Sequence, residues 1–155
     1  WKNMSTNVKS VVPAYKFTSS GLIGDDELDT IFSCEYTKDS DVGTYVITPT
    51  DCTFTSGVKN NYNIEYVNGT LSVYGSSYNK ASKTVKIYSN HDTDVDCYVV
   101  SYAENGTLDG IKKEHCSLKA DKISTIDISS LKISENDSIK IFLWDNNLTP
   151  VEITN

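Results

Sequence analysis

Apolar and polar residues alternate with a period of two along most of this chain, which predicts strands. The stretch "NYNIEYVNGTLSVYG", residues 61–75, shows this pattern on both sides of Asn68-Gly69. An Asn-Gly pair between alternating segments favours a two-residue type I′ turn. The sequence therefore predicts a β-hairpin that places four apolar side chains on one face, namely Ile64, Tyr66, Leu71 and Val73.

A second hairpin with the same turn is predicted at Asn105-Gly106, between a strand ending near Tyr102 and one starting near Leu108. β-branched and aromatic residues at alternate positions predict further strands. These strands cover residues 44–48, 84–88, 124–128 and 138–144.

One segment has a helical pattern, "GDDELDTIF" at residues 24–32. Asp25 or Asp26 could cap a short helix there, with Leu28 and Ile31 on one face. One or two turns do not change the class, so an all-β fold with at most one short helix is expected.

The domain boundary is predicted between the two hairpins. Residues 74–83 are polar, contain Gly75 and a Ser pair, and show neither period. A linker is therefore predicted at residues 75–77. Two small β modules in tandem result, covering residues 1–74 and 78–155.

Composition excludes several classes of partner. The chain has a net charge of −7, and its 14 basic residues are all Lys. Nucleic acids and anionic membrane surfaces need an excess of basic residues, so neither is an expected partner. Since no apolar run approaches the roughly 18 residues of a membrane span, no membrane insertion is expected.

The four cysteines divide into Cys34 and Cys52 in the first module and Cys97 and Cys116 in the second. Small secreted domains use disulfides to compensate for small cores, which favours one disulfide per module. Strict pairing around Asn105-Gly106 places Cys97 opposite Glu114 and therefore diagonal to Cys116, which is not the usual disulfide position. Four thiols that behave as small apolar residues remain the alternative.

The sequence offers few residues that could bind a metal ion or act in catalysis. Asp92, Asp94 and Asp96 have the alternate spacing of a calcium loop, but the Gly and Glu that such a loop requires at its sixth and twelfth positions are missing. Neither His91 nor His115 is placed beside a nucleophile and an orienting carboxylate. The expectation is a protein without catalytic residues, metal or cofactor, and not an enzyme.

Three segments, "GLIGDDEL", "DVGTYVITPT" and "NYNIEYVNGTLSV", resemble in order and spacing the MBG family, whose members are repeated extracellular modules of bacterial surface proteins. The opening stretch "WKNMSTNVKSVVPAYKF" departs from the family because it lacks the usual Tyr-Gly pair. The resemblance implies an MBG-like module over residues 1–74, with a β-grasp or immunoglobulin-like fold. The matching residues are Gly21, Leu22, Gly24, Asp25, Val42, Gly43, Thr44, Tyr45, Ile47, Thr48, Asn61, Tyr62, Ile64, Tyr66, Gly69, Leu71 and Val73.

The segment "DSIKIFLWDNNLTPVEI", residues 137–153, resembles the closing strand of an immunoglobulin-like module found at the end of extracellular proteins of Gram-positive bacteria. This likeness implies an immunoglobulin-like or fibronectin-like sandwich over residues 78–155. The residues that carry it are Lys140, Phe142, Trp144, Asp145 and Pro150.

Together the two resemblances imply a secreted or cell-surface bacterial protein whose modules act as spacer and adhesion units. The alternative is a pair of carbohydrate-binding accessory modules of a larger glycan-active enzyme. The expected partner is a cell-surface protein or a glycan. Four tyrosines could stack on sugar rings, or could be half-buried strand residues with a hydrated hydroxyl: Tyr74, Tyr78, Tyr98 and Tyr102.

Overall fold

The computed structural model describes residues 4–7 and 12–153, and strands joined by turns dominate this part of the chain. Within it, the one helical element is a 3₁₀ turn at Lys59–Asn61, and no helix is long and apolar enough to cross a membrane. The all-β class is therefore confirmed. The strands are Met4–Asn7 (β1), Glu27–Ser33 (β2), Gly43–Ser56 (β3), Gly69–Asn79 (β4), Thr84–Tyr88 (β5), Thr93–Tyr102 (β6), Leu108–Leu118 (β7), Ile123–Asp127 (β8) and Ser138–Trp144 (β9).

The chain divides into two compact units. The first comprises the described residues up to 40 together with 44–72, and the second comprises 41–43 and the described residues from 73 onward. The division between residues 72 and 73 falls inside β4. The module limits predicted from the sequence, residues 1–74 and 78–155, remain predictions.

The linker predicted at residues 75–77 is wrong as local structure. These residues belong to β4 and pair with residues 86–88 of β5. The strand was not predicted because these side chains are polar and do not alternate with apolar ones. Strand pairing uses backbone N–H and C=O groups, which polar residues carry as well. Opposite Gly75 and Ser76, β5 supplies the buried apolar side chains of Tyr88 and Ile87.

In the first unit, β2 pairs antiparallel with β3, from Glu27 opposite Ser56 to Ser33 opposite Thr48. The helix predicted over residues 24–32 is wrong. Exposed and half-buried side chains alternate along β2 with a period of two, and Ile31, which was to share a helical face with Leu28, is 61% exposed.

The hairpin predicted at Asn68-Gly69 is also wrong. Residues 62–68 are not in a strand, and β4 begins at Gly69, which is buried. A type I′ turn requires a positive φ at both central residues, and Gly69 is not among the described glycines with a positive φ. Leu71 and Val73 are fully buried as predicted, whereas Tyr66 is 39% exposed.

Two antiparallel sheets enclose the core of the second unit. One includes residues 75–79 of β4 with β5 and β8, and the other has the strand order β7–β6–β9. The strands predicted at residues 84–88 and 138–144 have the same bounds as β5 and β9. The core cluster is formed by Val85, Ile87, Val95, Cys97, Val99, Leu118, Ile126, Ile128, Leu131 and Ile153.

The second predicted hairpin is confirmed in its strands and corrected in its turn. β6 pairs with β7, with Cys97 opposite Glu114 as predicted. The amide of Gly106 donates to the carbonyl of Ala103 at 2.8 Å, the amide of Ala103 donates to the carbonyl of Thr107 at 2.9 Å, and Gly106 has a φ of 82°. This is a three-residue loop closed by a left-handed glycine, a common alternative to the two-residue type I′ turn.

Candidate functional site

The outward face of the β7–β6–β9 sheet gathers aromatic and charged side chains of the second unit. Along β6, Val95, Cys97 and Val99 point into the core. The intervening residues must therefore face away from it. Register places Asp96 between His115 and Trp144, and places Tyr98 between Lys113 and Phe142. We call this surface the aromatic sheet face, defined by Asp96, Tyr98, Lys113, His115, Lys140, Phe142 and Trp144.

Three half-buried rings of the aromatic sheet face contact one another. The ring centroid of Trp144 lies 5.1 Å from that of Tyr98 and 5.5 Å from that of Phe142, with interplanar angles of 49° and 46°. Trp144 is therefore not part of the core cluster. The residues at the alternate positions of β9 pack against the core instead: Ile139, Ile141 and Leu143.

A carboxylate lies beside Trp144 on the same face and is held by two basic side chains. Asp96 is only 7% exposed. Its Oδ2 lies 2.7 Å from Nζ of Lys113, and its Oδ1 lies 3.0 Å from Nδ1 of His115. The hydrogen bonds from Lys113 and then from His115 hold the pKa of Asp96 below its usual range, despite its burial. The carboxylate therefore stays ionised and fixes both basic groups beside the rings.

Ammonium groups also lie over two tyrosine rings of this sheet. Nζ of Lys113 is 5.4 Å from the ring centroid of Tyr98, and Nζ of Lys140 is 5.2 Å from that of Tyr102. The negative face of an aromatic ring attracts a cation at these distances. The sheet thus presents rings and cationic hydrogen-bond donors side by side.

The four tyrosines proposed for stacking have different environments. Tyr74 stacks on Tyr88 with centroids 4.8 Å apart, and its hydroxyl donates to Asp121 at 2.7 Å. Tyr78 packs against the core cluster. Only Tyr98 and Tyr102 of this set share the outward face of β6, and their stacking role stays a prediction.

The structure does not bring the three carboxylates of the calcium candidate together. Asp92 accepts hydrogen bonds from Nζ of Lys119 at 2.8 Å and from the amide of Ala120 at 2.9 Å. Asp94 is exposed, and Asp96 is held by its two basic partners. Within residues 4–7 and 12–153, no group of three or more His, Cys, Asp or Glu side chains is arranged to hold a metal ion.

All four cysteines are free thiols in the structure, with Cys52 and Cys97 buried and Cys34 and Cys116 half-buried. Burial raises the pKa of Cys97 to about 12, so this thiol stays protonated and unreactive at neutral pH. The disulfide pairing stays a prediction. Intact mass after alkylation without a reductant tests it, because four alkylated thiols would exclude both bridges.

The first unit contains a pocket of about 560 Å³ that sequence reasoning missed. The rings of Phe54 and Tyr62 stack in its lining with centroids 5.0 Å apart. The Tyr62 hydroxyl donates to Asp26 at 2.5 Å and accepts from the amide of Ile23 at 3.1 Å. The pocket was not predictable because residues 62–67 were expected to pair as a hairpin strand.

Part of the aromatic sheet face could have been found from the sequence. The register that places Cys97 opposite Glu114 also places Tyr98 opposite Lys113 and Asp96 opposite His115. The position of Trp144 depends instead on the pairing of β6 with β9, which are separated by β7 and β8 in the chain. No local turn specifies that pairing.

Comparison with family models gives a match to the MBG domain (YGX type) over residues 2–72. This match supports the MBG-like module that the three sequence segments indicated. Comparison with curated proteins and with solved structures gives no match.

Proposed function

We propose that the chain is a pair of non-catalytic extracellular modules of a bacterial surface or secreted protein, acting as spacer and adhesion units. MBG domains are modules of bacterial surface proteins, and the first module matches them over residues 2–72. The observation that carries the proposal is that residues matching the MBG family serve to fold the module. Ile47 and Leu71 are buried and Tyr45 packs on Tyr36, so these residues hold the fold together.

The environment of the carboxylates supports a non-catalytic role. Hydrogen bonds from lysines lower the pKa of Asp51 and Asp92. Backbone amides within turns are the main cause of the lowered pKa of Asp127 and Asp145. A general acid would instead need a raised pKa. These carboxylates serve as acceptors that fix turns and surface pairs.

For the second module we propose an immunoglobulin-like or fibronectin-like sandwich. Two antiparallel sheets with a common core support this assignment. Residues 137–153 resemble the closing strand of such a module, and their last residues fold back on β9. Trp144 forms a β-bridge with Pro150, and the amide of Val151 donates to the carbonyl of Leu143 at 2.9 Å.

The second candidate function is carbohydrate binding by accessory modules of a larger glycan-active enzyme. The observation that favours it is the ring cluster of Tyr98, Phe142 and Trp144 beside charged hydrogen-bonding groups. Sugars have apolar C–H faces and polar edges, and amphipathic aromatic residues with nearby polar groups suit both.

A glycan array and a pull-down against bacterial and host surface extracts, both with the whole chain, test the two functions. The adhesion proposal expects capture of a surface protein without selective glycan signals. Selective glycan binding without protein capture would replace it with the carbohydrate-binding function. Turnover of an arrayed glycan by the chain itself would contradict both.

A further inference from the structure

We propose that the aromatic sheet face binds a carboxylated sugar, of the hexuronate class. This inference rests on the second proposed function, carbohydrate binding, and gives it a site and a ligand chemistry. The site lies in the second unit, outside the residues that match the MBG domain.

The rings provide the apolar half of the site. Tyr98, Phe142 and Trp144 are half-buried, so their inner edges are packed while part of each ring still reaches solvent. Their tilts of 46° to 49° give a faceted surface in place of one flat plane. A single pyranose can lay its C–H groups on one facet, because the negative face of a ring attracts the weakly positive C–H edge.

The polar half of the site consists of donors. An ammonium group has three N–H donors, and the hydrogen bond to Asp96 uses one of those on Lys113. The side chain of Lys113 is 53% exposed. Its remaining N–H groups can therefore reach a ligand placed on the rings.

The one carboxylate of the aromatic sheet face is already engaged. Each oxygen of Asp96 is bound to one of the two basic groups, and the residue is nearly buried. A neutral sugar presents hydroxyl donors that seek acceptors, whereas a hexuronate adds a carboxylate that seeks donors. Charge-assisted hydrogen bonds are about twice as strong as neutral ones, which favours the acidic sugar here.

The local charge agrees with an anionic ligand. The chain as a whole carries −7, yet the central rows of this face carry the cationic Lys113 and Lys140 against the single carboxylate of Asp96. Asp94 lies one row further along β6, opposite Ser117. A ligand carboxylate is therefore directed to the end of the face where Lys113 and Lys140 lie.

Titrations followed by NMR on the isotope-labelled whole chain test the proposal, with methyl β-glucuronide and methyl β-glucoside as probes. The two differ only at C6, where the glucuronide has a carboxylate and the glucoside has a hydroxymethyl group. We expect the glucuronide to shift signals of β6, β7 and β9 and to bind about tenfold more tightly than the glucoside, as one charge-assisted hydrogen bond predicts. Acetate serves as the control for a carboxylate without a ring and is expected to leave these signals unchanged.

Variants locate the site. Trp144→Ala removes a ring and Lys113→Met removes a charge at similar length, so each is expected to weaken glucuronide binding about tenfold. Lys140→Met tests the charge without disturbing Asp96, and Tyr74→Phe is the matched control away from the face. The spectrum of each variant reports whether it is folded.

Each outcome decides the proposal. Loss of binding in the Trp144 and Lys113 variants, with Tyr74→Phe unchanged, supports it. Equal binding of glucoside and glucuronide would overturn the acidic ligand and leave carbohydrate binding standing. Response to acetate alone would show an adventitious anion site. Absence of any shift would overturn the site, while the glycan array decides separately whether the chain binds carbohydrate elsewhere.

Discussion

The two units of the chain bury their apolar side chains to different degrees. Among the largest fully buried side chains of the described residues, Leu71 is the only one in the first unit. The others lie in the second unit, on strands such as β5 and β6. In the first unit, β2 alternates between exposed and half-buried residues, and residues 62–67 line a pocket without joining a sheet.

This difference separates the roles of the units. Dense packing gives the second unit a rigid frame on which the rings and charges of the aromatic sheet face keep their positions. The first unit uses aromatic pairs, such as Phe54 with Tyr62 and Tyr36 with Tyr45, at its half-buried positions. Local opening is favoured where few apolar contacts are buried, so we expect the first unit to open more readily.

The largest effect is expected from Ile87→Ala. Ile87 is fully buried in the core cluster of the second unit. Its truncation leaves a cavity and is expected to lower the free energy of unfolding by about 4 kcal/mol, measured by urea denaturation. The matched control is Ile31→Ala in the first unit, where the exposed side chain predicts a change below about 0.5 kcal/mol. Equal losses at the two positions would show that the side chain of Ile31 is packed as tightly as that of Ile87, which would contradict the difference in burial.

A smaller, pH-dependent effect is expected from Asp41→Asn in the second unit. Burial would raise the pKa of Asp41, but the hydrogen bonds that it accepts outweigh burial and keep its pKa below 3.8. The donors are Lys86, Asn79 and Ser77. The variant loses the ion pair and is expected to be about 2 kcal/mol less stable at pH 7.

The sign of the pH dependence follows from the lowered pKa of Asp41. Its contribution is complete above the unfolded value of 3.8 and is lost as the pH falls through the folded value. The stability difference between wild type and Asp41→Asn should therefore shrink below about pH 4. Denaturation curves at pH 7, 4 and 2.5 measure it, and a constant difference would show that the charge of Asp41 is not responsible.

The smallest effect is expected from Tyr36→Phe, in the opposite direction. The Tyr36 hydroxyl is buried and has no hydrogen-bond partner within the described part of the chain. Its removal should raise the stability of the first unit by up to about 1 kcal/mol, because an unsatisfied buried polar group is lost. Thermal unfolding measures the change. A clear loss of stability would reveal a partner for this hydroxyl and a better packed first unit.

The sequence predicted elements well where its own alternation was strong. β5 and β9 were predicted with the correct bounds, since Thr84–Tyr88 and Ser138–Trp144 alternate cleanly. The β6–β7 register followed from the Asn105-Gly106 turn, even though the turn itself has another conformation. Local chemistry therefore specified most of the second unit.

The errors arose where distant partners decide the structure. Gly69 begins a strand although Asn68-Gly69 favours a turn, and residues 24–32 contain a strand although Asp25 and Asp26 resemble a helix cap. Tertiary pairing outweighs propensities of this size. The aromatic sheet face was found only in part, because Trp144 reaches it through the non-local pairing of β9 with β6.

Hydrogen exchange of backbone amides on the whole chain tests the contrast between the units most directly. We expect the amides of β5 and β6 to exchange at least about tenfold more slowly than those of β2 and β3, because opening the second unit exposes its core. Equal protection of the two pairs of strands, or slower exchange in β2 and β3, would contradict the account.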